Sequence, residues 1–217
     1  MGWHPEALPP RARELARSLK RLEWLSRFYL AGGTALALQL GHRISVDLDF
    51  FSPEEFDSRQ REEFKAQLSR LPGFKVREEQ EGTLHVLLDG VETSFLHYRY
   101  PLLRKTAHWQ GLRIASMADI GLMKIGAIIG RGARKDFIDL REICRTIPLA
   151  SLLKLSFKKF PDAEDFLFQA SKALVYFEDA QLSPSPKILR KGAWDEVKAY
   201  FVREAPQAWR AATLPVS

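Results

Sequence analysis

The stretch GGTALALQLGHRISVDLDFF, Gly32 to Phe51, constrains the fold more than any other part of the chain. An apolar segment at Phe28 to Ala31 runs into a glycine pair, Ala35 to Leu40 reads as a helix stopped by Gly41, and Val46 to Phe51 reads as a second strand. Gly32 and Gly33 supply the backbone freedom of the turn, and Thr34 is placed to cap the helix. Asp47 and Asp49 stand two apart on the second strand, so they project to one side while Leu48 and Phe50 project into the core. Two carboxylates that close raise each other's pKa, and a divalent cation relieves the repulsion. Mg2+ is the natural candidate, with Mn2+ as its substitute. The opening of the helix, with free N–H groups, a positive dipole end and no side chain on the glycines, offers a seat for the phosphates of a nucleotide. Against this, a lone Gly-Gly turn often does no more than permit unusual backbone angles, and strand carboxylates are often merely solvated. The apolar run VDLDFF argues against a casual surface edge. Ser45 either bonds a phosphate or ends the strand, and Arg43 either contacts phosphate or solvates its loop.

At 217 residues and 46% hydrophobic content the chain is long enough for an α/β domain with helical additions. The apolar run from Ile120 to Ile129 is short of a bilayer span and holds Lys124. Arg11, Arg13, Arg17, Lys20 and Arg21 spread through a polar N-terminal helix, which lacks the apolar region of a signal peptide. A cytoplasmic protein without a membrane partner is expected. The single cysteine, Cys144, falls at a buried helical position, which excludes a disulfide framework and a cysteine metal site. A net charge of +6 fits a polyanionic partner such as RNA or nucleotide phosphates. Arg99, Arg104, Lys105 and Arg113, interleaved with Tyr98, Tyr100 and Trp109, read either as an RNA-facing patch or as a solvated loop.

Elsewhere the pattern predicts a helix over 11–27, with Leu15, Leu19, Leu22 and Leu25 at helical spacing. A Ser52/Glu55 capping box predicts a helix over 53–70, and strands follow at 74–79, 83–89 and 91–97, the last two joined by an Asp89-Gly90 hairpin turn. A short strand at 112–115 leads to a helix capped by Ser116 and Asp119 and running to Gly130. Further helices are expected at 134–146, 149–160, 163–177 and 193–210.

The spacing of Gly32-Gly33 and Asp47-Leu48-Asp49 resembles the G-G/S and D-x-D motif of the DNA polymerase beta nucleotidyltransferase superfamily, and within it the AbiEii/AbiGii toxin nucleotidyltransferases. A second signature of that family, a lysine on a helix followed by a basic-Asp pair leading the next helix, is matched by DIGLMKIGAIIGRGARKDFIDL, Asp119 to Leu140. ALVYFEDAQLSPSPKIL with Trp194 and Tyr200-Phe201 extends the likeness over nearly the whole chain. The resemblance implies an α/β (α+β) polymerase-beta-like core with a mixed sheet flanked by helices, plus a C-terminal helical region. Its division would be a core with N-terminal helix at 1–115 and a helical region at 116–217 that completes the active site, both within one compact unit. It also implies Mg2+-dependent transfer of a nucleotide from an NTP to an acceptor, the tRNA 3′ end in characterised relatives, with pyrophosphate leaving, and an antitoxin protein as partner of a toxin. Carried over, Asp47 and Asp49 hold the metal, and Gly32, Gly33, Thr34 and Ser45 hold the phosphates. Lys124 offsets triphosphate charge, Arg131 extends its basic stripe, and Asp136 is a catalytic or positioning carboxylate; Asp139 shares its helix face. The superfamily's third acid aligns with Ser94. Either Glu92 or Asp89 substitutes, or the metal uses only Asp47 and Asp49. The rival readings are a non-catalytic nucleotide- or partner-binding module on this fold, and an enzyme with a protein or small-molecule acceptor.

Overall fold

The structure, a computed structural model, describes residues 2–190 and 192–214 and divides into two compact units, Met1–Pro101 with Lys105–Ser116, and Leu102–Arg104 with Met117–Ser217. The first contains α1 (Pro10–Leu19), β1 (Tyr29–Leu30), α2 (Gly32–Leu40), β2 (Leu48–Ser52), α3 (Ser58–Leu68), β3 (Lys75–Gln80), β4 (Thr83–Leu88), β5 (Val91–His97), β6 (Ala107–Trp109) and β7 (Leu112–Ile114). The strands form one seven-stranded sheet in the order β3-β4-β5-β2-β1-β7-β6. It is mixed, as expected: β2 runs parallel to β5 and antiparallel to β1, and β1 runs parallel to β7.

Alternation along β2, β4 and β5 sends Leu48, Phe50, Leu84, Val86, Leu88, Thr93 and Phe95 to one buried face. An aromatic cluster fills that side. Trp24 stacks on Phe64 of α3 at 4.1 Å between centroids and meets Phe95 edge-on at 5.0 Å, while Phe28 contacts Phe56, Phe64 and Phe95. The opposite face carries Asp49, His85 and Ser94, all half-buried. The β4–β5 turn has positive φ at both Asp89 (46°) and Gly90 (77°), the backbone for which a two-residue hairpin selects Asp-Gly. It locks the pairing of His85 with Ser94.

Several expectations are corrected. The 11–27 helix ends at Leu19, and an extended Leu22 leads into a separate 3-10 turn at Glu23–Arg27 that delivers Leu25 and Phe28 to the core. α3 starts at Ser58 under a capping box of Asp57 and Gln60; Ser52 ends β2 and its hydroxyl accepts from the Glu54 N–H instead. β2 begins at Leu48, so Asp47 lies just before the strand rather than on it. β6 was not anticipated.

The second unit is helical: α4 (Met117–Arg131), α5 (Arg134–Ile143), α6 (Leu149–Lys159), α7 (Phe166–Ala173), α8 (Glu178–Leu182) and α9 (Trp194–Thr213). Phe137 of α5 packs against Phe177, Trp194 and Phe201 at 5.2–6.0 Å. Asp119, expected as a helix cap, is buried; its carboxylate accepts from the Leu103 and Arg104 N–H groups and from Lys159 at 2.9 Å. Burial pushes the Lys159 ammonium's pKa down, against the pull of Asp119. Among the described residues no helix is long and apolar enough to cross a membrane.

Candidate active site

The glycine pair opens α2 and lies against the carboxylates. Gly32 sits at φ +66°, a left-handed conformation that favours glycine, and a Cβ there would fall 3.2 Å from Asp49 Oδ2. The Ala31 N–H donates to the Asp49 carbonyl at 3.0 Å, which fixes this corner onto β2. Ala31 is the N-cap of α2 and supplies no side-chain acceptor to its leading N–H groups. A Cβ on Gly33 would lie 2.1 Å from Arg43 Nη2 and 3.2 Å from Ser45 Oγ. Any side chain at Gly33 would therefore make the end of the Arg43 guanidinium shift.

Thr34 is not the cap. It lies within the first turn, buried, where its hydroxyl donates to the Asp47 carbonyl and shares a hydrogen bond of 2.8 Å with Ser45 Oγ. That bonding ties the start of α2 to the segment entering β2. Ser45 is buried as well, and Asp47 and Asp49 are half-buried. Arg43, for which a solvated loop was one reading, is buried against Gly33 and its Nη1 donates to the Ile44 carbonyl at 3.0 Å.

The strand register sets which side chains stand beside Asp49. Asp49 of β2 pairs with Ser94 of β5, and Ser94 pairs with His85 of β4, so the three side chains form a row on one face. His85 Nδ1 and Ser94 Oγ are hydrogen-bonded at 2.9 Å. Glu92 is exposed and paired with Arg77 at 3.2 Å, and Asp89 is consumed in the hairpin turn. His85 was passed over in the sequence, where it is one of several scattered histidines. The signal was present, because His85 and Ser94 stand symmetrically about the Asp89-Gly90 turn.

In the second unit Lys124 of α4 donates to Asp136 Oδ1 at 2.8 Å and pairs with Asp139 Oδ2 at 2.6 Å. Arg131, at the end of α4, donates to Asp136 through Nε (2.9 Å) and Nη2 (3.1 Å). Lys124, Asp136 and Asp139 are buried, and Arg131 is exposed. Burial pushes the Asp136 carboxyl up, but the charges of Lys124 and Arg131 outweigh it and hold the group below its ordinary range. Both oxygens of Asp136 are thus engaged by cations.

Among the described residues no group of three or more His, Cys, Asp and Glu gathers into a metal cage. Mg2+ takes one or two carboxylates and completes its shell with water and substrate phosphates. Asp49 fits this use, since its carboxylate abuts the uncapped turn and has no hydrogen-bond or ion-pair partner among the described residues.

A family model described as "Nucleotidyl transferase AbiEii toxin, Type IV TA system" matches residues 13–213. An uncharacterized protein of Aquifex aeolicus (strain VF5) is 39% identical over 201 residues, covering 90% of this chain and 94% of that one. Among solved structures, JHP933 from Helicobacter pylori is similar at a TM-score of 0.51 and 17% identity, covering 94% of each chain. A putative nucleotidyltransferase from H. pylori is similar at the same score and identity, covering 93% of this chain and 92% of that one. At that identity these structures speak for the shared fold. With the family match over most of the chain, this protein belongs to the AbiEii nucleotidyl transferase toxin family and is a nucleotidyltransferase.

Proposed function

We propose that this enzyme transfers a nucleotide from an NTP to the 3′ end of a tRNA in a Mg2+-dependent reaction, as the toxin of a toxin-antitoxin pair working in the cytoplasm. The observation that carries the reading is the meeting of Gly32 with Asp49 beside the uncapped start of α2, with Arg43 buried against Gly33. In this arrangement the amides of Gly32, Gly33 and Thr34 receive the phosphates, Arg43 and Ser45 flank them, and Asp47 and Asp49 hold the cation. Bound there, Mg2+ or Mn2+ would offset charge on the triphosphate and on the departing pyrophosphate. Thr34 acts by holding the Asp47 carbonyl and Ser45 in place. The family relation adds Lys124, Arg131 and Asp136 as contributors of charge and positioning. The basic net charge favours an RNA acceptor.

Incubation of the purified protein with each labelled NTP, Mg2+ and total tRNA tests the proposal. Label is expected in tRNA, falling by about 10²-fold or more with Asp49→Asn, the scale of losing a charge-stabilising group. No incorporation from any of the four NTPs overturns the reading, and label that follows protein or a small molecule instead of RNA reassigns the acceptor.

A further inference from the structure

A hydrogen-bonded pair, Ser94 and His85, stands beside Asp49 on the half-buried face of the sheet. Ser94 stands beside Asp49 across parallel strands, which lie about 4.8 Å apart, and His85 stands beside Ser94 across the hairpin. Their 2.9 Å bond joins the ring nitrogen Nδ1 to the serine hydroxyl, and Nδ1 is the acceptor in the tautomer that carries its proton on Nε2. Glu92, the carboxylate two residues before Ser94 on β5, is exposed and paired with Arg77.

We infer that Ser94 and His85 form the proton-accepting side of the nucleotidyl transfer, with Ser94 touching the attacking hydroxyl of the acceptor and His85 acting through Ser94. This rests on the transfer reaction proposed above. As the acceptor oxygen bonds to the α-phosphorus, the bond from that phosphorus to the bridging oxygen of pyrophosphate breaks, and pyrophosphate leaves with its electron pair. The acceptor's proton passes to Ser94 Oγ while the serine's own proton passes to His85 Nδ1, and the imidazolium then returns a proton to solvent. The imidazole must start neutral with its proton on Nε2, so that Nδ1 accepts from Ser94. The charged groups around His85 on this face are Glu78, its register partner on β3, the Arg77–Glu92 pair, and Asp49 beyond Ser94.

Three variants test the pair in the labelled-NTP and tRNA assay, with folding checked by circular dichroism and Mg2+–NTP binding by calorimetry. His85→Ala is expected to lower kcat by about 10²–10⁴-fold, the range of general-base contributions, with the KM for NTP and nucleotide binding unchanged. His85→Asn keeps a hydrogen-bonding atom near Nδ1 but cannot take a proton, so its kcat stays low. Adding Ser94→Asp to His85→Ala supplies a carboxylate base directly and is expected to recover kcat to within about tenfold of wild type. A His85→Ala enzyme with wild-type kcat, full activity in His85→Asn, or no recovery in the double variant overturns the inference while leaving nucleotidyl transfer standing. A wild-type protein that labels tRNA from none of the four NTPs overturns the transfer reading and this one with it.

Discussion

Lys124→Met removes an ammonium and keeps most of the side-chain bulk, so it isolates the charge at the junction of α4 and α5. In the wild type that charge lies 2.8 Å from Asp136 Oδ1 and 2.6 Å from Asp139 Oδ2, with all three side chains at most 5% exposed. Taking one partner from a buried ion pair costs about 3–5 kcal/mol, because the remaining charge is left without its counterion in a poor solvent. Asp136 keeps two hydrogen bonds from Arg131, while Asp139 loses the cation at its closest contact. The expected loss is therefore near the lower end, about 3 kcal/mol, a large share of a typical total of about 5–15 kcal/mol. Urea unfolding followed by circular dichroism reads it. Lys124→Met with Asp139→Asn also neutralises the carboxylate that faced the lost cation and is expected to recover stability to within about 1 kcal/mol of wild type, as neutral replacements of buried pairs commonly do. The double variant also separates folding from chemistry. If Lys124 offsets phosphate charge, its kcat stays depressed by about 10²-fold or more although the fold is restored. A single variant that costs less than about 1 kcal/mol refutes the ion-pair reasoning, and a stable double variant with wild-type kcat removes Lys124 from the catalytic set.

Two further outcomes are expected. Gly32→Ala forces an L-residue into φ +66°, costing about 1–2 kcal/mol, and places a methyl 3.2 Å from Asp49 Oδ2. Calorimetry should show Mg2+–NTP affinity falling at least tenfold, about 1.4 kcal/mol. Gly111→Ala, at φ +87° beside Lys20 Cδ, should lose similar stability and keep that affinity; equal affinities in the two variants would sink the claim that Gly32 shapes the cation seat. Acid unfolding follows from Asp136. Its folded pKa is depressed, so its contribution is complete above the ordinary value of 3.8 and is lost as pH falls below it through the folded pKa. Urea midpoints measured from pH 5 down to pH 2 should therefore fall more steeply in wild type than in Asp136→Asn, and parallel curves would contradict the assignment.

What the sequence made legible was local. The Asp89-Gly90 turn names its own backbone angles, so the β4–β5 hairpin followed from two residues. The alternation through Leu48, Asp49 and Phe50 likewise told which side of β2 faces the core. Boundaries were less legible wherever two signals competed. Ser52 and Glu55 have the spacing of a capping box, yet Asp57 and Gln60 have it too, and β2 claims Ser52 as its last residue. β6 escaped because its turn is Gln110-Gly111, in which glutamine takes φ +50° without the local side-chain bonding that makes Asp or Asn recognisable. Thr34 has the right identity for a cap, but its hydroxyl is taken by Ser45 and the Asp47 carbonyl, groups that only the folded chain brings near.

The candidate site divides along the same line. Gly32 and Asp49 lie within one supersecondary unit, so their approach follows from chain order. Arg43 looked like a loop cation because burial is not written in a sequence; only its approach to Gly33 shows that the missing side chain makes room for a guanidinium. Ser94 shows the limit most sharply. Taken alone, it is an acid lost from the superfamily pattern and an argument against catalysis. Hydrogen-bonded to His85 and in register with Asp49, it offers a proton path where a carboxylate was expected. Neither half of that pair carries the chemistry by itself, because a serine hydroxyl is too weak a base and His85 is two strands from Asp49. The unit that can replace the acid is the cross-strand pair, and it exists only through the register that the Asp89-Gly90 turn imposes.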